Sequence, residues 1–154
     1  TNELVEFAEL INIPVMTTLN GKGAFPENHR LALGTGASSG TLMVDHFLKK
    51  TDFVIGMGTS FTICNFNAPI PKGVILAQCT NCSEDLNKDY RISFGAVGDA
   101  KIVLQQMIDE TKRQIGEHGL EDVKGHSNEI RKEKDSWIAE WTPRLCSDEV
   151  PINP

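Results

Sequence analysis

No run of apolar residues in this chain approaches the roughly 18 that a membrane-spanning helix requires. The opening Thr1-Asn2-Glu3-Leu4 also lacks the cationic and apolar regions of a secretory leader, so the cytoplasm is the expected compartment and a membrane is not an expected partner. Positive charge is in deficit. Lys and Arg number 15 against 21 Asp and Glu, a net charge of −6, and a nucleic-acid partner is not expected because nucleic-acid-binding surfaces present basic patches. The four cysteines, Cys64, Cys79, Cys82 and Cys146, are not expected to pair, since a chain of 154 residues is long enough to bury a core without disulfide staples. Cys79-x-x-Cys82 has the spacing of a zinc or redox pair, but no second pair supplies the other ligands of a structural site, so no metal site is expected. Internal repeats and low-complexity tracts are absent as well.

The residues that remain, 40% hydrophobic and 23% charged, describe an acidic globular domain. Its organising stretch runs from Ile13 to Gly40. Ile13-Pro14-Val15-Met16-Thr17-Thr18 has the β-branched enrichment of a short strand, with Pro14 tolerable only at its start or on an edge. Asn20-Gly21-Lys22-Gly23 then frees the backbone to turn, which suits either an anion or a tight crossover. Before this stretch, Leu4, Phe7, Ala8 and Ile11 recur at helical spacing while Glu3, Glu6 and Glu9 point away. After it, Ser38 or Ser39 caps a second helix carrying Leu42, Met43, His46, Phe47 and Leu48, which ends at Lys49-Lys50.

Phe53-Val54-Ile55-Gly56-Met57 is apolar on both faces, as a central parallel strand must be when helices cover both sides of its sheet. Residues 65–73 read as a loop leading to a buried strand at Val74-Ile75-Leu76-Ala77, and residues 90–97 hold a short edge strand. Gly98-Asp99 offers the N-cap of a helix with Val103, Leu104, Met107, Ile108 and Ile115 on its core side. Residues 121–140 are highly charged and read as a surface helix or a hinge, which Trp137 and Trp141, four apart on one face, can anchor against the domain. Pro143, Pro151 and Pro154 make the tail a non-helical linker. Strands alternating with helices predict an α/β fold with a mainly parallel sheet.

Local motifs for chemistry are incomplete. Gly34-Thr35-Gly36-Ala37-Ser38-Ser39-Gly40 leads into a helix whose N-terminal amides can receive a phosphate, but Gly40 falls one residue late for the dinucleotide fingerprint, and a turn with close backbone packing is the favoured reading. Lys22 lacks the surrounding phosphate-loop arrangement. His29, His46, His118 and His126 cluster neither with cysteines nor with a nucleophile, and Glu27 with His29 read as loop residues.

Several motifs, in order, carry a resemblance to a known family. Ile-Pro-Val, Thr-Thr-Leu-x-Gly-Lys-Gly-Ala-Phe-Pro-Glu-x-His and a following Leu-Gly, then Asp52 to Phe61, Leu86-Asn87-Lys88 and Val97-Gly98-Asp99-Ala100, resemble the central domain of thiamine diphosphate-dependent enzymes of the acetolactate synthase and 2-oxo acid decarboxylase superfamily. The resemblance spans residues 2–115. It implies a three-layer Rossmann-like domain over residues 1–119, and a charged helix with a Pro-containing linker over 120–154, directed towards a cofactor-binding domain. It also implies an enzyme acting on 2-oxo acids or related acyl donors, with thiamine diphosphate and Mg2+ held by the N-terminal and C-terminal domains of the same enzyme. A homo-oligomer is expected. In such a protein this chain is a structural domain without catalytic residues of its own. A free-standing adenine-nucleotide or dinucleotide-binding module of the same shape is the alternative.

In that family the first helix follows a glycine-ended strand near the centre of the sheet, beside the strand at Val54, and no such strand precedes Leu4 here. A sheet lacking it must close over the gap or borrow a strand. The resemblance also places a vestigial nucleotide groove at Gly34, Gly36, Thr59, Ser60, Thr80 and Asp99. Nucleotide-binding relatives carry two carboxylates where this chain has Thr80 and Cys82, and an arginine where it has Ser60, so tightly bound FAD or ADP is not expected.

Overall fold

The computed structural model describes residues 2–37, 40–64 and 66–149. Ser38, Ser39, Pro151 and Pro154 lie outside the described residues. Helix α1 (Asn2–Ile11) buries Phe7, Ala8 and Leu10 and leads into strand β1 (Val15–Thr17), with Pro14 just before the strand. The Asn20–Gly23 segment is a tight crossover. The amides of Gly21, Lys22 and Ala24 are spent on the carbonyls of Thr18, Leu19 and Gly21, which removes them as anion donors. Strand β2 (Ala32–Thr35) then pairs in parallel with β1.

Helix α2 (Leu42–Lys50) returns the chain to β3 (Phe53–Met57). A long loop leads to β4 (Ile75–Thr80), a second to β5 (Phe94–Val97), and α3 (Ala100–Ile115) and α4 (His126–Leu145) complete the fold. β3, β4 and β5 form a parallel sheet in that order, separate from the β1–β2 pair. The four helices flank two parallel sheets, so the fold is α/β as the alternation of patterns predicts.

Alternation along the strands sets the layers. Val15 and Ala32 pack in a core with Ala8 of α1, while the adjacent Met16 and Leu33 pack with Val44 and Phe47 of α2. Successive side chains of a strand point to opposite faces, so α1 and α2 cover opposite faces of the β1–β2 pair. α1 lies along α3, where Phe7 and Leu10 meet Leu104 and Ile108. Lys101 reaches Glu3 near both helix starts (3.4 Å), and the Leu120 amide bonds the Leu10 carbonyl past both helix ends (2.8 Å). The two helices are therefore parallel, and α1, like α3, starts at the C-terminal edge of the strands.

Several details differ from the expectations. β3, expected at the centre of the sheet, is an edge strand of the β3–β4–β5 sheet because it has only β4 for a ladder partner. β4 starts at an exposed Ile75 rather than at a buried Val74, and it runs on to Thr80. The N-cap of α2 is Thr41, whose hydroxyl donates instead to the Leu33 carbonyl (2.6 Å), tying the helix start to β2. Ile115 and Leu42 are exposed rather than on core faces, because each sits at a helix end beyond its packing partner. Pro143 does not end the last helix but lies inside α4. An interior proline gives up its own amide bond and crowds the carbonyl four residues back, yet the helix continues past it through Cys146 N–H to the Thr142 carbonyl (3.0 Å).

Candidate functional site

Loops after parallel strands converge at the C-terminal edge of a sheet, where α/β folds bind ligands. The six groove residues lie at this edge, but only some share a wall. Gly36, Thr59 and Ser60 line a cleft of about 1640 Å3 between β1 and β3. Gly34 serves packing: at φ +90° it brings β2 so close to Thr41 that an added Cβ would sit 2.9 Å from Thr41 Cγ2. Gly36 closes the β1–β2 ladder by donating its amide to the Thr17 carbonyl (2.7 Å).

The polar side chains at this edge are bonded within the fold. Thr59 Oγ1 accepts the Phe61 amide (3.2 Å), and the Ser60 and Thr62 hydroxyls bond one another (2.8 Å). Thr80 is buried. Its hydroxyl donates to Asp85 Oδ2 (3.2 Å) and accepts the Cys82 amide (3.2 Å). Asp99 Oδ1 accepts the amides of Lys101 (2.9 Å) and Ile102 (3.1 Å), the N-cap that the Gly98-Asp99 pattern predicts for α3. Asp99→Ala is accordingly expected to cost about 1 kcal/mol, the usual value of such a cap. Asp99→Asn should recover most of it in urea unfolding, and equal losses for the two variants would remove the capping assignment.

Sequence reasoning missed Gln78. It is buried in the middle of β4, and its Nε2 donates to the carbonyls of Thr59 (2.9 Å) and Asp85 (3.2 Å), clamping both loops onto the sheet. The available signal was a lone amide inside the apolar run Leu76-Ala77-Gln78-Cys79. Phe61 was missed as well. It holds a left-handed φ of 48° and lays its ring over Gly56, where a Cβ would fall 2.3 Å from its Cζ.

The remaining candidates are dispersed. Lys22 pairs with Glu27 (3.2 Å), whereas His29 Nε2 reaches Glu9 (3.1 Å) and His29 Nδ1 accepts the Leu31 amide (3.2 Å), so Glu27 and His29 do not act together. His46 Nε2 meets Glu129 Oε1 (2.7 Å), and Lys50 reaches the same oxygen, joining α2 to α4. Those contacts hold the Glu129 carboxyl below its usual range, the His46 hydrogen bond foremost. Asp122 caps α4 from outside by accepting the amides of His126 (2.8 Å) and Ser127 (3.0 Å) and the Ser127 hydroxyl. The Ser127 bonds lead in lowering its pKa to about 2. Cys79 is buried and Cys82 exposed, all four cysteines are free, and no group of three His, Cys, Asp or Glu is arranged to hold a metal among the described residues. No helix among the described residues is long and apolar enough to cross a membrane.

Comparison with known proteins supplies what local chemistry does not. Residues 1–107 match the family described as thiamine pyrophosphate enzyme, central domain. The probable acetolactate synthase large subunit of Methanococcus aeolicus is 31% identical over 167 residues, covering 99% of this chain and 26% of that protein. The isozyme 3 large subunit of acetolactate synthase from Escherichia coli strain K12 is 30% identical, covering 94% of this chain and 24% of that one. Benzoylformate decarboxylase from Polynucleobacter necessarius shares the fold at a TM-score of 0.56 and 23% identity, over 70% of this chain and 21% of that one. The chain thus spans about a quarter of the length of these curated relatives.

Proposed function

Because the chain belongs to the thiamine pyrophosphate enzyme central-domain family, we propose that it is the scaffold domain of an acetolactate synthase-like or decarboxylase enzyme acting on 2-oxo acids or related acyl donors. In this reading residues 1–119 form the scaffold, and 120–154 carry the helix and linker towards a cofactor-binding domain. Thiamine diphosphate and Mg2+ are held by the N-terminal and C-terminal domains of the same cytoplasmic, homo-oligomeric enzyme. One observation carries the structural role: the polar groups at the strand ends already serve the fold. Asp99 caps α3, and Thr80 is tied to Asp85.

The residues present do not fit a metal-bound diphosphate. A metal needs several free oxygen ligands, and the Asp99 carboxylate is engaged by two backbone amides. The vestigial groove of Gly34, Gly36, Thr59, Ser60, Thr80 and Asp99 offers a nucleotide neither an arginine nor a free carboxylate. The expected result of calorimetric titration with thiamine diphosphate and Mg2+ is no heat of binding, and with ADP a dissociation constant weaker than about 10 μM, or roughly 7 kcal/mol. Micromolar binding of thiamine diphosphate would overturn the scaffold reading. A yellow preparation, or tight ADP binding, would favour a nucleotide-binding module instead.

A further inference from the structure

Of the asparagines in the chain, only Asn20 is followed by glycine. The pair matters chemically, because a residue without a Cβ lets its backbone nitrogen approach the side-chain carbonyl carbon of the residue before it. Asparagine is a thermolabile side chain, and this approach is the route by which it is lost. The structure leaves Asn20 open to it. The residue is exposed, and its side-chain amide makes no hydrogen bond among the described residues. Other asparagines are held: Asn12 donates to the Leu120 carbonyl and Asn67 to the Thr62 carbonyl (2.9 Å), while Asn87 accepts the Ile92 amide (2.9 Å) and Asn128 accepts from Arg131 (3.1 Å).

The nitrogen that must attack is restrained. The Gly21 amide donates to both the carbonyl and the hydroxyl oxygen of Thr18, each at 3.1 Å. The Thr18 side chain lies against Gly21, where an added Cβ would fall 3.1 Å from Oγ1. Attack requires this amide to give up its proton, and the two Thr18 oxygens hold that proton in place.

We propose that Asn20 is a site of spontaneous conversion to aspartate and isoaspartate, with water as co-reactant, and that the Thr18 hydroxyl sets its rate. The Gly21 nitrogen loses its proton to solvent and bonds to Asn20 Cγ; the Cγ–Nδ2 bond breaks, and ammonia leaves with a proton taken from water. A cyclic imide results. Water then adds to one of its two carbonyl carbons. Breaking the bond from Gly21 N to Cγ restores the ordinary backbone with an aspartate, whereas breaking the bond to the main-chain carbon leaves the chain running through Cβ and Cγ as isoaspartate. Nothing is oxidised or reduced. Either product adds one carboxylate, which takes the net charge from −6 to −7.

Isoaspartate also lengthens the backbone between residues 20 and 21 by one carbon. The Gly21-to-Thr18 and Lys22-to-Leu19 bonds both span that link, so the crossover after β1 opens. Asn20 and Gly21 line the large cleft, whose rim thereby changes shape and charge as the chain ages. This assignment does not depend on the thiamine diphosphate reading.

The test incubates the chain under native conditions and follows the tryptic peptide that ends at Lys22 by mass spectrometry, with fragment ions locating the change. Thr18→Val removes the hydroxyl acceptor, Thr18→Ser keeps it, and Asn20→Gln lengthens the side chain so that ring closure is disfavoured. Asn20 is expected to convert before any other asparagine, and about fivefold faster in Thr18→Val, since a neutral hydrogen bond is worth about 1 kcal/mol. Thr18→Ser should match the parent, and position 20 of Asn20→Gln should stay unchanged. In urea, where the Thr18 bond is gone, the parent and Thr18→Val should convert at one rate. Equal native rates in the parent and Thr18→Val would overturn the proposal, as would a Thr18→Ser rate equal to that of Thr18→Val. Earlier conversion at another asparagine would overturn it too, and so would an equal gain at Asn67 and Asn87 in Thr18→Val, which would mean that the variant loosens the whole fold.

Discussion

Phe47→Ala is expected to destabilise the chain by about 3–5 kcal/mol, the range for removing a buried aromatic ring. Phe47 sits in the core shared by α2, β2 and α4 with Leu33, Val44 and Ile130. It also packs edge-to-face on the His126 ring (centroids 5.9 Å) and underlies the Lys50 ammonium at 4.1 Å. Domains of this kind have only about 5–15 kcal/mol in total, so the variant approaches the limit of folding. The chain's two tryptophans, Trp137 and Trp141, are both on α4, and their fluorescence reports whether α4 leaves with the ring. In urea unfolding, Phe47→Leu should lose much less than alanine because it keeps most of the volume. A Phe47→Ala protein within about 1 kcal/mol of the parent would show that the cleft beside it collapses to fill the space, a response that sets the cost of any core truncation.

Gly119→Ala is expected to cost about 3 kcal/mol through two separable causes. Gly119 has φ +66°, a conformation that costs an alanine roughly 1–2 kcal/mol. Its Cβ would also fall 2.3 Å from the Leu10 carbonyl oxygen and 2.9 Å from Leu10 C and Cα, backbone atoms that cannot swing aside. The clash pushes apart the contact in which Leu120 N–H meets that same carbonyl. Gly125 separates the two causes: its φ is +67°, yet nothing lies within 4 Å of an added Cβ. Gly125→Ala should therefore lose only the conformational part. Equal losses for the two variants in chemical denaturation would eliminate the clash.

What could be read from the chain was what repeats along it. Phe7, Leu104 and Ile108 lie buried where helical spacing places them, whereas Phe53–Met57 forms a strand as its composition predicts but at the edge of its three-stranded sheet, with only Gly56 fully buried. The family followed from motifs in order, which no single motif would have carried. The features that escaped depend on partners remote in sequence. Gln78 reads as a flaw in a strand until the carbonyls of Thr59 and Asp85 come to it. Asp122 was invisible as a cap because it acts from four and five residues away across Gly125 in a left-handed turn, not at the spacing of a capping box. Pro143 misled because its ring is a local signal, whereas the ladder resumes beyond it, with Cys146 N–H on the Thr142 carbonyl. The six groove residues all lie at the C-terminal edge of the strands, but which of their hydroxyls and carboxylates are engaged by the fold could not be seen without the loops.

The parallel packing of α1 on α3 also has a consequence for synthesis. Glu6 and Lys112, which meet across it at 2.8 Å, are 106 residues apart in sequence. At roughly 5–20 residues per second on the ribosome, the apolar side of the first helix waits about 5–20 s for its partner to be made. During that interval Phe7 and Leu10 are exposed on a nascent chain that cannot yet finish folding, so chaperone capture and proteolysis compete with folding most strongly before residue 115 emerges. Slowing translation after β5 should lower the soluble yield more than slowing it after α3.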